Sequence, residues 1–200
     1  MTPLDSLLSR SSTSQLVDPA PEGETLNQIL QAGLRAPDHG RLRPWRFVLI
    51  RGSARDLLAD ITTAAIKRRD PEAAITYIER QRSRILTTPL IIAAGARVKP
   101  GHKIPELEQL FSTAAATMNV LNGLQATGFG GIWLTGPNCY DPVIGQALGF
   151  EHPDRLVAFL YVGTPAEPAR APKTPDLLDH VLDWTGPVPA GVTQHLPTQE

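Results

Sequence analysis

The chain has 200 residues, enough for one domain with a complete hydrophobic core. Its 19 basic and 20 acidic side chains give a formal charge of -1, so the composition predicts neither a nucleic-acid partner nor a membrane-surface partner. A single cysteine, Cys139, excludes an internal disulfide framework, and the N-terminal residues lack a secretory leader pattern. With no apolar run long enough to cross a membrane, these features predict a cytoplasmic protein.

Apolar spacing and turn residues predict alternating helices and strands along the chain. In chain order the predicted elements are a helix over 2–9, a polar loop over 11–23, a helix over 24–34, a strand over 45–50, a helix capped by Ser53 and ending near 69, a helix from Pro71 to about 86, a strand over 89–96, a helix over 105–127, a strand over 130–134, a short helix near 142–148 and a strand over 156–162. Four strands with helices between them indicate an α+β sandwich of helices on a sheet.

The helix predicted over 105–127 has an unusual composition. Its middle, from Ala114 to Leu124, carries no charged residue, while Glu106 and Glu108 lie favourably in its first turn. A long helix without a charged face is expected to be buried on most sides. We therefore expect it to form the centre of the domain or of a dimer interface, with Gly128 as the residue that follows its C-terminus.

The C-terminal segment 166–200 differs from the rest of the chain. Seven of the nineteen prolines lie from Pro165 onward, and apolar residues occur only in short clusters. Such a segment cannot form its own core and is either disordered or an extended arm on another surface. The apolar residues within 177–184 favour the arm.

A turn between the second helix and the first strand, residues 33–45, concentrates groups that bind anions. It contains Arg35, Arg41, Arg43 and His39, together with two prolines. Guanidinium groups and exposed backbone N–H groups suit phosphate or the carbonyl oxygens of a ring system. Motifs for zinc hydrolysis, serine acyl transfer and P-loop phosphoryl transfer are absent from the sequence, and its five histidines are too scattered to predict a metal site.

Four segments in this order and spacing resemble the FMN-dependent nitroreductase family, and in particular its small bacterial NAD(P)H nitroreductase subgroup. They are Arg10-Ser11-Ser12, Arg35 to His39 with Pro44-Trp45 following, Gly128 to Trp133, and Leu160 to Pro165. Taken singly, an arginine at a helix end is more often a solvated cap, and an arginine-rich loop is more often a solvated surface. The joint spacing of the four segments favours the functional interpretation.

The resemblance implies an α+β fold with a mixed, mainly antiparallel sheet flanked by helices. It also implies a flavin domain over 1–165 in an interlocked homodimer, with 166–200 as an arm on the partner subunit. Two FMN sites would lie at the interface, each built from both chains. The residues implied for FMN are Arg10, Ser11, Ser12, Gly131, Ile132 and Trp133 from one subunit, and Arg35 and His39 from the other. For the nicotinamide nucleotide they are Leu121, Asn122, Gly123, Leu124, Gln125 and Ala126.

The activity implied by the resemblance is hydride transfer from NAD(P)H to nitroaromatic or quinone-like acceptors by a ping-pong mechanism. Because the flavin carries this chemistry, no catalytic side chain and no metal is expected. Two alternatives remain open: a non-catalytic protein that stores, delivers or senses FMN, and a structural dimer without ligand. Ser11 and Leu134 depart from the family pattern, which often has arginine at the first position and a polar or basic residue at the second.

Overall fold

The computed structural model describes residues 2–168, 172–181, 183–184 and 186–187. Its sheet and main helices lie in one compact unit, Met1–Arg170, and a second small unit comprises Ala171–Glu200. In chain order the elements are α1 (Pro3–Ser9), β1 (Leu16–Val17), α2 (Gly23–Gly33), β2 (Trp45–Ile50), α3 (Ala54–Arg69), α4 (Ile75–Thr87), β3 (Leu90–Ala96), α5 (Glu106–Ala126), β4 (Gly130–Leu134), α6 (Pro142–Ala147) and β5 (Arg155–Pro165), with 3₁₀ turns at His39–Arg41 and Leu177–Asp179.

The five strands form one sheet in which every described pairing is antiparallel. β5 is the longest strand and pairs with β1, β3 and β4, while β3 also pairs with β2. All seven residues of β3 are buried, as expected for a strand covered on both faces. The predicted α+β class with a mainly antiparallel sheet is thus confirmed.

Side-chain alternation along the strands builds a separate core on each face of the sheet. Ile91 on β3 and Phe159 on β5 face one core, which α3, α4 and α6 cover. Their chain neighbours Ile92 and Leu160 face the other core, which α2 and α5 cover. We call these the α3 layer and the α5 layer.

Two predicted boundaries are wrong. The loop predicted over 11–23 contains β1, which the sequence does not signal because its two residues are too few for periodicity to be read. The helix predicted from Pro71 begins instead at Ile75, because a turn closed by the Ala73 N–H donating to the Asp70 carbonyl interrupts the chain first. Ser53 does occupy the N-cap position of α3, but its side chain makes no capping hydrogen bond.

α5 is less buried in this chain than its composition predicts. Eight of its residues are buried, among them Thr113 and Thr117, whose hydroxyls donate to backbone carbonyls one turn earlier. Leu107, Phe111 and Met118, in contrast, are exposed. The described residues of one chain therefore cover only part of α5.

In the part of the chain that the structure describes, no helix combines the length and hydropathy needed to span a bilayer. About half of the arm predicted for residues 166–200 falls outside the described residues. Within them, Leu177, Val181 and Trp184 are exposed. Both the arm and the cytoplasmic location stay predictions.

Candidate functional site

The loop after α1 lies beside β4 and the C-terminal end of α5. The Thr13 N–H donates to the Gly131 carbonyl at 3.3 Å, and the Gln125 side chain donates to the Ser9 hydroxyl at 3.5 Å. Arg10, the C-cap residue of α1, is half-buried. In the sequence it lies between Ser9 and Thr13, the two residues that make these contacts. The fold therefore brings the predicted residues 10–12 next to the predicted residues 131–133.

β4 offers backbone donors on its outer edge. The Gly131 carbonyl accepts from Thr13 rather than from β5, so the N–H of Gly131 also faces away from β5. Alternation along an antiparallel strand turns the N–H of Trp133 the same way. A Cβ at Gly131 would lie 3.2 Å from both Leu121 and Leu124, so this position leaves little room for a side chain.

The segment predicted for the nicotinamide nucleotide, 121–126, divides into two sets. Leu121 and Leu124 are buried in the core of the α5 layer. Asn122, Gly123 and Gln125 are half-buried and Ala126 is exposed. The Asn122 Oδ1 atom is buried and has no hydrogen-bond partner among the described residues. It is an acceptor that the described part of this chain leaves unsatisfied.

The second predicted group, around Arg35 and His39, lies where α2 crosses α5 and where the chain then turns into β2. A Cβ at Gly33 would lie 2.8 Å from Val120 Cγ2, so glycine permits the close crossing of α2 over α5. Beyond it, the Asp38 carboxylate accepts from the Arg43 N–H at 2.6 Å and closes the turn.

Three residues of this turn adopt the left-handed backbone conformation. They are Gly40, Arg41 and Arg43, at φ 69°, 55° and 49°. Glycine adopts it without strain, whereas the two arginines do so at some cost in free energy. The side chains of Arg35, Arg41 and Arg43 are exposed and make no hydrogen bond or ion pair with the described residues.

His39 contacts the first turn of α5. Its Nδ1 atom lies 2.6 Å from Glu108 Oε2, and both side chains are substantially exposed. The pair lies at a cavity of about 330 Å³ lined by Pro37, Asp38, His39, Glu108, Phe111, Ser112 and Ala115. Sequence reasoning noted Glu108 only as a favourable first-turn acid and missed this contact, since its partner lies 69 residues away.

One chain does not bring His39 and the Arg10 group together. His39 contacts Glu108 near the start of α5, and the segment before Arg10 contacts Gln125 near its end. At a rise of about 1.5 Å per residue, these two points on α5 are roughly 26 Å apart. His39 and the Arg10 group therefore lie near opposite ends of the same helix, while Arg35 follows the crossing of Gly33 over Val120.

A third polar cluster lies in the α3 layer, and sequence reasoning did not identify it. The Asp141 carboxylate is buried, receives hydrogen bonds from Arg68 and Arg69, and caps α6 by accepting from the Val143 and Ile144 N–H groups. Burial alone would raise the pKa of Asp141, but Arg69, these N–H groups and Arg68 together hold that pKa below its usual value.

The cavity beside this cluster, about 740 Å³, is lined by none of the predicted site residues. Cys139 borders it with a buried thiol, and burial raises the pKa of that thiol to about 12. A thiol so protonated is a poor nucleophile. The described residues contain no cluster of histidine, cysteine and carboxylate groups that could hold a metal.

The chain matches the sequence profile of the Nitroreductase family over residues 7–164. It is 40% identical over 166 residues to the Escherichia coli K12 protein named Putative NAD(P)H nitroreductase YdjA, covering 82% of this chain and 89% of that protein. Its fold is similar to a nitroreductase-like protein of Bacillus cereus, with a TM-score of 0.82, 22% identity, and 93% and 97% of the two chains covered. A Desulfovibrio desulfuricans structure, described as a putative nitroreductase in complex with FMN, matches with a TM-score of 0.70 and 23% identity over 94% and 99% of the chains.

Proposed function

Since this chain belongs to the nitroreductase family, we propose that it is an FMN-dependent oxidoreductase that passes hydride from NAD(P)H to small electron-poor acceptors such as nitroaromatics or quinones. The observation that carries the proposal is the juxtaposition of residues 10–12 with the outer edge of β4. This places a guanidinium group, two hydroxyls and backbone N–H donors in one neighbourhood. The donor set suits a phosphate dianion joined to a polar ring system.

Each group has a defined role in this proposal. Arg10 binds the FMN phosphate, supported by the hydroxyls of Ser11 and Ser12. The N–H groups on the outer edge of β4 orient the ring system, and Trp133, half-buried on the α5 layer, limits the access of water. FMN, when bound, supplies the hydride-accepting and hydride-donating chemistry. The protein residues are needed to bind, orient and shield.

A homodimer completes the site. His39 is too far along α5 to reach the Arg10 neighbourhood of its own chain, so a second copy would supply it, together with Arg35 from the same turn. Between the two groups, α5 exposes Phe111 and Met118, and the buried Asn122 Oδ1 lacks a partner within the described residues. An exposed apolar surface with an unsatisfied polar atom beside it is typical of an interface in which both become covered.

The nicotinamide nucleotide and the acceptor would bind in turn above the same ring system. Of the segment implied for the nucleotide, Asn122, Gln125 and Ala126 have accessible atoms, whereas Leu121 and Leu124 support it from the core. The side chains that could contact the nucleotide are thus a polar pair and a small residue at the end of α5.

Purification of the full chain tests the proposal. We expect a yellow protein with the FMN absorbance band, which NADH or NADPH bleaches under anaerobic conditions and a nitroaromatic or quinone restores. Steady-state rates should give parallel double-reciprocal lines, as a ping-pong mechanism requires. Bound FMN that neither nucleotide reduces would favour a storage or sensing protein instead. A colourless protein that does not bind added FMN would exclude both flavin functions.

A further inference from the structure

Among the described residues, the contact between His39 and Glu108 is the one side-chain hydrogen bond between the exposed turn 39–43 and α5. Its length, 2.6 Å, is that of a charge-assisted hydrogen bond. The turn does not depend on it for its shape, because the Asp38 carboxylate already accepts from the Arg43 N–H. The Gly40 backbone also packs directly against Ile104, where a Cβ would lie 2.2 Å from the Cδ1 atom. The contact is therefore additional to the packing that fixes the turn.

Stability does not explain this contact. The side chains of His39 and Glu108 are 66% and 43% exposed. Polar contacts with this exposure contribute little to folding, because water screens them and ordering the side chains costs entropy. Phe111, one turn further along α5, is also exposed beside the pair at the same cavity. The pair thus lies on the surface that a second copy would cover.

The chemistry of the pair fixes which imidazole nitrogen is free. An ionised carboxylate only accepts hydrogen bonds, so the His39 nitrogen that faces Glu108, Nδ1, must carry a proton. The other nitrogen, Nε2, is then the atom available to a ligand. Carboxylates commonly fix histidine tautomers in this way when the second nitrogen has a role.

We propose that Glu108 is a positioning residue for His39: it holds Nδ1–H, so that Nε2 is the ring atom presented to the FMN bound at the second copy. This inference rests on the proposed function for the identity of the ligand. Glu108 does not touch the ligand itself and acts only through the orientation and tautomer of the imidazole.

The first measurement uses the FMN-free protein, so that it does not depend on the proposed function. Nitrogen-15 NMR of the His39 imidazole should report Nδ1–H as the dominant neutral form in the wild type. Glu108→Gln should shift the ring toward the mixed or Nε2–H form. Glu106→Gln is the matched control, since Glu106 lies in the same turn and makes no hydrogen bond to the described residues. Equal tautomer populations in all three proteins would overturn the inference.

The second measurement is the dissociation constant for FMN. Glu108→Gln should weaken binding about fivefold, the value of one net hydrogen bond, while Glu106→Gln leaves it unchanged. In a His39→Ala background, Glu108→Gln should have no further effect. An equal loss with and without His39 would show that Glu108 does not act through the imidazole. If no variant and not even the wild type binds FMN, the proposed function fails while the tautomer measurement still stands.

Discussion

The two faces of the sheet differ in how completely one chain covers their apolar side chains and provides hydrogen-bond partners for their buried polar groups. In the α3 layer the buried Asp141 carboxylate has two arginines and two N–H groups as partners, and Arg55 donates to the Leu86 and Thr88 carbonyls. In the α5 layer Phe111 is exposed, and the buried Asn122 Oδ1 has no partner among the described residues. The α3 layer thus stabilises the single chain, and the difference supports the proposal that association and ligand binding cover the α5 layer.

The largest expected effect is on association through the α5 layer. Phe111→Asp should convert a dimer to a monomer and weaken association by about 3–5 kcal/mol, because a charge would be buried in an apolar interface. Sedimentation equilibrium measures this. Leu57→Asp is the matched control, since Leu57 is equally exposed on α3. If the Leu57 variant dissociates as readily as the Phe111 variant, the distinction between the layers is wrong.

A smaller effect is expected on the stability of the α3 layer. Asp141→Ala should lower the free energy of unfolding by about 2–4 kcal/mol, because it removes the α6 cap and leaves two arginines without their carboxylate. Urea unfolding of the FMN-free protein measures it. Asp60→Ala, which breaks the exposed pair with Arg82, should cost less than about 1 kcal/mol. Similar losses from both variants would contradict the assignment.

The third prediction concerns the ligand rather than the fold. Arg10→Ala should weaken FMN binding by about 1.5–3 kcal/mol, the range for a hydrogen bond to a charged group, without changing the urea midpoint of the FMN-free protein. Arg80→Ala, on the surface of α4, should leave FMN binding unchanged. Unchanged affinity in the Arg10 variant would remove the phosphate role from this residue.

The smallest predicted effect is a pH dependence located in the α3 layer. The pKa of Asp141 is lower in the folded chain than its usual value near 4, so the unfolded chain binds the proton more readily. The stabilisation is thus fully present above about pH 4 and is lost as the pH falls through the folded pKa. Unfolding free energies between pH 5 and pH 3 should fall more steeply for the wild type than for Asp141→Asn. Parallel curves would show that Asp141 does not titrate with unfolding.

Most elements could be predicted because their signals are local. The run from Trp45 to Ile50 and the helical spacing up to Ala126 correctly identify β2 and α5. One error lies where the element is short, at the two-residue strand β1. The other lies where a turn at Ala73 interrupts a periodic pattern. There the backbone hydrogen bond, and not the side-chain pattern, decides the structure.

The candidate site was predictable only in part. Motif spacing points to Arg10, His39 and Gly131, but spacing gives no distances between segments. Glu108 could not be found in this way, because its contact with His39 joins residues far apart in the sequence. The same holds for Asp141, whose two arginines come from the end of α3.

The sequence by itself determined the fold class, the family and the residue types suited to a phosphate and a ring system, because these depend on local periodicity and on motif order. Only the tertiary structure decided that His39, in the turn 33–45, lies near the opposite end of α5 from Arg10. Helix length sets that separation, since each residue of α5 advances the chain by about 1.5 Å, and the contacts of His39 and of Ser9 lie near its two ends.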